Sequence, residues 1–160
     1  MIHEFKENSV TSLAEQMAQS LAALVPASCK VLVPMPSKRQ SFYKRGYVPA
    51  KVLAVAVAKQ IAKSQKRLLL VSDVLGVSKE VQDQASLSGA QRRNNLTGAM
   101  VTSANAALGP VWLIDDIVTT GSTFLEAKRC LAANGVLVLG FLAFAETLPK
   151  NRQNSHGKPV

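Results

Sequence analysis

Val111-Trp112-Leu113-Ile114-Asp115-Asp116-Ile117-Val118-Thr119-Thr120-Gly121-Ser122-Thr123 is the stretch that decides how this chain folds. Val111 to Ile114 is a continuous apolar run, the pattern of a strand covered on both faces. Asp115 to Ser122 reads as the loop after it, and a helix is expected over roughly Thr123 to Ala133, stopped by Asn134-Gly135. A second apolar run, Val136 to Phe144, completes strand, loop, helix and strand. That is a βαβ unit. It predicts an α/β fold with a mostly parallel sheet and helices on both faces.

In open sheets of this kind, ligands bind outside the carboxyl ends of the strands. Asp115 and Asp116 stand at such an end. The loop beyond them offers the hydroxyls of Thr119, Thr120, Ser122 and Thr123, and Gly121 lets backbone approach a ligand closely. Free N–H groups where the helix opens favour an anion, most often phosphate. Carboxylates repel phosphate, so they should face another part of the same ligand. Ribose hydroxyls donate hydrogen bonds to carboxylates, and a sugar 5-phosphate would span both halves. Two other readings stay open from this segment alone: an acidic helix cap with no ligand, and a two-carboxylate magnesium site of phosphotransfer type. A Walker A loop is excluded because no lysine follows Gly121, and the dinucleotide pattern G-x-G-x-x-G is absent.

Upstream, Leu13, Met17, Leu21 and Leu24 fall at helical spacing within a segment from about Ser9 to Val25, which Pro26 closes. Val31 to Val33 reads as a buried strand, followed by Pro34 and Pro36 and a polar, basic loop from Ser37 to Val48. Pro49 suits the first turn of a helix running through Ile61, and Leu68 to Val71 is a second apolar strand. Residues 76 to 91 are polar, a short helix is plausible around Ser88 to Asn95, and Ala99 to Thr102 suits an edge strand. One domain over residues 1–148 is expected, with a polar tail over 149–160.

With 160 residues, 48% of them hydrophobic, the chain can bury a core, which argues against general disorder or a disulfide-held miniprotein. Its net charge of +9 is uneven. No acid lies between Gln16 and Ser72, yet Lys30, Lys38, Arg39, Lys44, Arg45, Lys51, Lys59, Lys63, Lys66 and Arg67 do. That half is built to meet an anion. Cys29 and Cys130 stand apart and form no zinc cluster, so they read as buried apolar residues of a reducing compartment. Residues 1 to 8 do not resemble a signal peptide, and no apolar run nears the roughly 20 residues that span a bilayer. A cytoplasmic protein with no membrane span is expected.

Four apolar residues, two acids and a Thr/Gly/Ser loop resemble the phosphoribosyl pyrophosphate signature of type I phosphoribosyltransferases. Leu32-Val33-Pro34-Met35-Pro36-Ser37, Lys44-Arg45-Gly46-Tyr47, Asp83-Gln84-Ala85-Ser86-Leu87 and Arg92-Arg93-Asn94-Asn95-Leu96-Thr97-Gly98-Ala99 occur in the order found in the ComF family, phosphoribosyltransferase-like proteins linked to competence and DNA uptake. The resemblance spans roughly residues 30 to 147 and implies the type I phosphoribosyltransferase fold. It implies that Asp115 and Asp116 hold the ribose hydroxyls, and that Thr119, Thr120, Gly121, Ser122 and Thr123 wrap the 5-phosphate. It also implies pyrophosphate at Ser37, Lys38 and Arg39. Lys44 and Arg45, or Arg92 and Arg93, would close over the leaving group. Magnesium would bridge pyrophosphate and ribose near Asp115 and Asp116 rather than sit in a cage of protein ligands. The implied activity displaces pyrophosphate from phosphoribosyl pyrophosphate, to an acceptor the sequence does not identify. His3 and His156, near the termini, offer no acid–base partner for it. The other function implied is a non-catalytic competence factor that binds single-stranded DNA. A homodimer is compatible with either.

Overall fold

The computed structural model describes residues 13–78, 98–119 and 121–147. Helix α1 (Leu13–Ala22) leads to strand β1 (Val31–Pro34). Helices α2 (Arg39–Arg45) and α3 (Pro49–Gln65) follow, then the short strands β2 (Leu70–Val71) and β3 (Leu75–Val77). Strand β4 (Met100–Thr102) and a single 3-10 turn (Ala106–Leu108) precede the long strand β5 (Val111–Val118). Helix α4 (Ser122–Ala133) and strand β6 (Val138–Glu146) close the described chain.

The main sheet has the order β2-β1-β5-β6, and every pairing in it is parallel. Side chains alternate across a strand, and two separate cores follow from that alternation. Leu32 of β1 and Ile114 of β5 point to one face, where α1 and α3 pack through Met17, Leu21, Leu53, Val57 and Ile61. Val31, Val33, Val111 and Leu113 point to the other, against Phe124, Ala127 and Leu131 of α4. The expected parallel sheet with helices on both faces is therefore the architecture observed. Leu32, Leu53, Ile61 and Leu131 are fully buried, and each contributes about 1.5–3 kcal/mol of transfer free energy.

Several boundaries differ from expectation for identifiable reasons. Helix α1 ends at Ala22, so Leu24 leaves the apolar stripe and is 65% exposed, while Val25 takes the core position. The turn after it is held by Arg67, whose guanidinium donates to the carbonyls of Val25, Pro26 and Cys29 at 3.2, 3.1 and 2.7 Å. Strand β2 begins only at Leu70, where pairing with Val31 of β1 starts. Strand β4 does not extend the main sheet. It pairs antiparallel with β3, an element the polar stretch after Val77 concealed, and this ribbon packs on the α4 face. The helix expected near Ser88 to Asn95 lies outside the described residues.

Candidate functional site

Strands β1 and β5 pair in the register Leu32↔Trp112, Val33↔Leu113 and Pro34↔Ile114, and the Met35 N–H donates to the Ile114 carbonyl at 2.9 Å. This register brings the chain leaving β1 alongside Asp115 and Asp116 at the carboxyl rim of the sheet. The two segments singled out from sequence, separated by almost 80 positions, thus meet at one rim.

The acids do not lie in a loop. Strand β5 continues to Val118 because β6 runs beside it, with Asp115↔Ala143, Ile117↔Ala145 and Val118↔Glu146 in register. Successive residues on a strand face opposite ways. Asp115 therefore shares the α4 face with Leu113, and Asp116 shares the α1/α3 face with Ile114. Asp116 is 3% exposed, whereas Asp115 is half-buried and accepts the Asp116 N–H at 2.9 Å. A ligand meeting both carboxylates must straddle the end of the strand.

The loop after β5 is thereby shortened to Thr119–Gly121, of which Thr120 lies outside the described residues. Gly121 has φ +70°, a left-handed conformation that glycine adopts without the Cβ penalty, and it serves as N-cap of α4. Having no side chain, it cannot cap the first-turn amides, and the first turn carries no acid. No N-cap side chain and no first-turn acid therefore offsets the positive end of this helix. Ser122 is half-buried and Thr123 exposed at that end.

On the β1 side, Ser37 is half-buried and Lys38 and Arg39 are exposed. The expected loop contains α2, which buries none of its residues. Lys44 and Arg45 occupy its last turn, where a positive charge also complements the helix's own carbonyl end. Gly46 closes the helix in the left-handed region, its N–H donating to the Phe42 carbonyl at 2.7 Å. Arg92 and Arg93, like Thr120, lie outside the described residues; of the described ones, the structure brings together the Ser37–Arg39 and Asp115–Thr123 segments.

Sequence reasoning passed over three residues that shape this end of the molecule. Asp73 lies just beyond β2 and pairs with Lys51 of α3 at 2.7 Å, which removes Lys51 from the free cations. Thr147 lies just beyond β6, its N–H donating to the Val118 carbonyl at 2.8 Å. Glu126 is the third, at 4% exposure. It accepts from the Gly98 N–H at 2.8 Å, from the Met100 N–H at 3.4 Å and from the Arg129 guanidinium at 2.7 and 2.8 Å. The Arg129 hydrogen bond holds its carboxyl below the usual range, against the opposing effect of burial. Asp73 and Thr147 carry a sequence signal, since each is a polar residue at the carboxyl end of an apolar strand. For Glu126 only the i,i+3 spacing to Arg129 is a local signal; its backbone partners Gly98 and Met100 lie 28 and 26 residues away.

Cys29 and Cys130 are buried, and burial pushes both thiols up. They stay protonated at neutral pH and supply no nucleophile. Among the described residues no three His, Cys, Asp or Glu side chains cluster as metal ligands, and no helix is long and apolar enough to cross a membrane.

No family model matches the chain, and no curated protein does. Solved structures do show likeness. A hypoxanthine phosphoribosyltransferase from Staphylococcus aureus is 13% identical, over 96% of this chain and 70% of that one, with a TM-score of 0.45. Orotate phosphoribosyltransferases from Francisella tularensis and Aeropyrum pernix are 16% and 12% identical, both with a TM-score of 0.47. The first is matched over 84% of this chain and 67% of its own, the second over 91% and 76%. At these identities and scores the likeness is loose, and what the rim can bind depends on its own residues.

Proposed function

We propose that this protein is a phosphoribosyltransferase of the type I, ComF-like kind, which binds phosphoribosyl pyrophosphate with magnesium at the rim formed by β1 and β5. The observation that carries the reading is the β1–β5 register. It sets a cationic exit, Ser37 to Arg39, beside two strand-borne carboxylates and an uncapped helix start. Ribose hydroxyls would donate to Asp115 and Asp116. The 5-phosphate would accept from the amides and hydroxyls of Thr119 to Thr123. Lys38 and Arg39 would neutralise the pyrophosphate, with Lys44 and Arg45 at the end of α2 and Arg92 and Arg93 as further cations for the leaving group. Magnesium fits this donor set, since it favours one or two carboxylates together with substrate phosphates and water. Bound there, it would offset the charge that builds on the pyrophosphate.

In the proposed reaction the bond between the anomeric carbon and the pyrophosphate oxygen breaks, its electron pair leaves with pyrophosphate, and an acceptor nucleophile bonds to the carbon. The chain's own contribution is electrostatic. Exposed cations of the β1 exit would stabilise the leaving group, and the strand-borne carboxylates would orient the sugar.

Titration calorimetry with phosphoribosyl pyrophosphate and magnesium tests the assignment. The Asp115→Asn/Asp116→Asn double variant should lose at least about 100-fold in affinity, as removal of two charge-assisted hydrogen bonds implies. Equal binding by wild type and variant would show that the rim is not the site.

A second reading, binding of single-stranded nucleic acid, is favoured by one observation. Phe42 and Tyr43 are 42% and 72% exposed on α2, between Arg39 and Lys44, an arrangement on which bases could stack. Against it, Arg67 is committed to three backbone carbonyls and Lys51 to Asp73, so the basic half of the sequence offers fewer free cations than its composition suggests.

A further inference from the structure

The two ends of the main sheet differ in charge. Among the described residues, Glu15 is in the first turn of α1, and Asp73 lies beyond β2. Asp115 and Asp116 are in the second half of β5, Glu126 is in the second turn of α4, and Glu146 is the last residue of β6. All stand toward the carboxyl rim. At the amino end, from which the four strands start, the described residues include no acid. Lys30, Lys63 and Lys66 are exposed there, and none pairs with an acid among the described residues. A site at the rim leaves these cations unexplained.

The amino end is also where α1 and α3 stop, and its turns are stitched together. Gln65 donates to the Ala22 carbonyl at 3.1 Å and accepts from Arg67 at 2.9 Å, while Arg67 holds the turn from Val25 to Cys29. The Leu70 N–H donates to the Lys30 carbonyl at 2.9 Å. Lys66 takes φ +55°, a left-handed conformation uncommon outside glycine. The turns held in this way present Leu24 and Leu68 outward, 65% and 87% exposed. Leu137, 60% exposed, belongs to the same end, since its carbonyl accepts the Val111 N–H at the start of β5. One exposed leucine is ordinary. Three on separate turns of an end with free lysines form a pattern. The segments outside the described residues join the fold at Leu13, at Ser78 and Gly98 near Glu126, and at Thr147, all toward the opposite rim.

We infer that the amino end of the sheet docks on an anionic lipid bilayer. Charge selects this occupant. Lysines attract anionic headgroups, and leucines beside them enter the boundary between headgroups and acyl chains. A nucleic acid would meet the lysines but leave the leucines in water. The turns 22–30, 65–70 and 134–137 hold no aromatic residue on which a base could stack. A fluid interface also accepts side chains from three separate turns, without the matched contour that a folded partner needs. Three leucines and a few cations make the attachment weak and reversible. Held by this end, the protein would turn its carboxyl rim, with Asp115 and Asp116, away from the membrane.

Co-sedimentation of the full chain with vesicles of phosphatidylcholine, alone or with about 30% phosphatidylserine, tests this. Wild type should bind the anionic vesicles at least about 10-fold more tightly than the neutral ones, and less tightly as salt rises. Leu24→Glu/Leu68→Glu should weaken that binding at least about 10-fold. Both leucines are exposed, so thermal unfolding should not change. Lys30→Gln/Lys66→Gln, which keeps the leucines, should also weaken it at least about 10-fold. A wild type that does not bind anionic vesicles overturns the inference. So does binding lost in the lysine variant but kept in the leucine variant, because that is attraction by charge alone. If the lysine variant loses binding to a single-stranded oligonucleotide while its vesicle binding stays intact, the face belongs to nucleic acid and the inference fails.

Discussion

The chain leaves β1 through a seven-residue helix that buries none of its side chains. It leaves β5 through a strand extension, the Thr119–Gly121 turn and a helix that buries Phe124, Glu126, Ala127, Cys130 and Leu131. The two exits lie side by side at one rim and carry opposite charge. The carboxylates belong to the rigid exit and the cations to the exposed one. Fixed acids suit a group that must be held in a single orientation, as a sugar must. Exposed cations suit a group that arrives and departs. Charge alone therefore does not define a site here. The packing beneath each charge determines what it can do.

The largest effect should come from loosening the rigid exit. Glu126 joins α4 to the strand opposite it through Gly98 and Met100, and its charge is matched by Arg129. Glu126→Gln keeps the shape but weakens hydrogen bonds made to a charged group, at a cost of about 2 kcal/mol. Because the folded-state carboxyl is held below its ordinary value of 4.5, the unfolded chain binds more protons near that pH. The stabilisation is fully present above about pH 4.5 and is lost as pH falls through the folded value. Urea unfolding at pH 7 and below pH 4.5 should show wild type losing more stability than the variant. Matching pH profiles would mean that this carboxylate does not anchor the rigid exit.

How much of this is legible in the sequence depends on how far each signal reaches. The strands β1 and β5, helix α3 with Pro49 at its start, and helix α4 are all visible there, because their apolar runs and stops are local. The two-faced burial of Leu32 against Val31 and Val33 follows from the same runs. Helix α2 is hidden, since a helix with no buried face leaves no apolar period to detect. The extension of β5 through Asp115 and Asp116 is hidden because only pairing with β6 makes two acids part of a strand. The consequence is chemical: a loop would place the acids side by side, whereas the strand sends them to opposite faces. The structural use of Arg67 is equally out of reach, because its acceptors lie about 40 positions away. For the site, sequence locates the Ser37–Arg39 and Asp115–Thr123 segments, and only the register of β1 on β5 joins them.

A subtler comparison is available in two glycines. Gly46 and Gly121 have nearly the same conformation, φ +76° and +70°, and neither has an atom within 4 Å of where a Cβ would stand. Alanine at either position therefore costs backbone strain of about 1–2 kcal/mol and no collision. The location of that cost should differ. Gly46→Ala should fray α2, with little change in global unfolding, because α2 is not packed into either core. Gly121→Ala should lower global stability and also weaken phosphoribosyl pyrophosphate binding by about 10-fold, since the turn that would hold the 5-phosphate is the one strained. Thermal unfolding and titration calorimetry on both variants would check this. Equal effects on affinity would erase the distinction between the two exits.

The smallest effect should come from the exposed exit itself, and it separates the two proposed functions. Lys38 and Arg39 are solvent-exposed at the start of α2, so each contributes an attraction screened by water and salt, about 1 kcal/mol or less. Lys38→Ala/Arg39→Ala should leave thermal stability unchanged and reduce phosphoribosyl pyrophosphate affinity by about 5–10-fold. That difference should shrink as salt rises. If the exit instead serves single-stranded nucleic acid, the same variant should bind an oligonucleotide with a shallower dependence of affinity on salt, because two fewer counterions are released. Phosphoribosyl pyrophosphate binding would then be untouched. A double variant that matches wild type in both assays at low salt would show that these cations face neither anion. Lys38 and Arg39 would then have no part in the site, and its positive charge would have to come from Lys44 and Arg45.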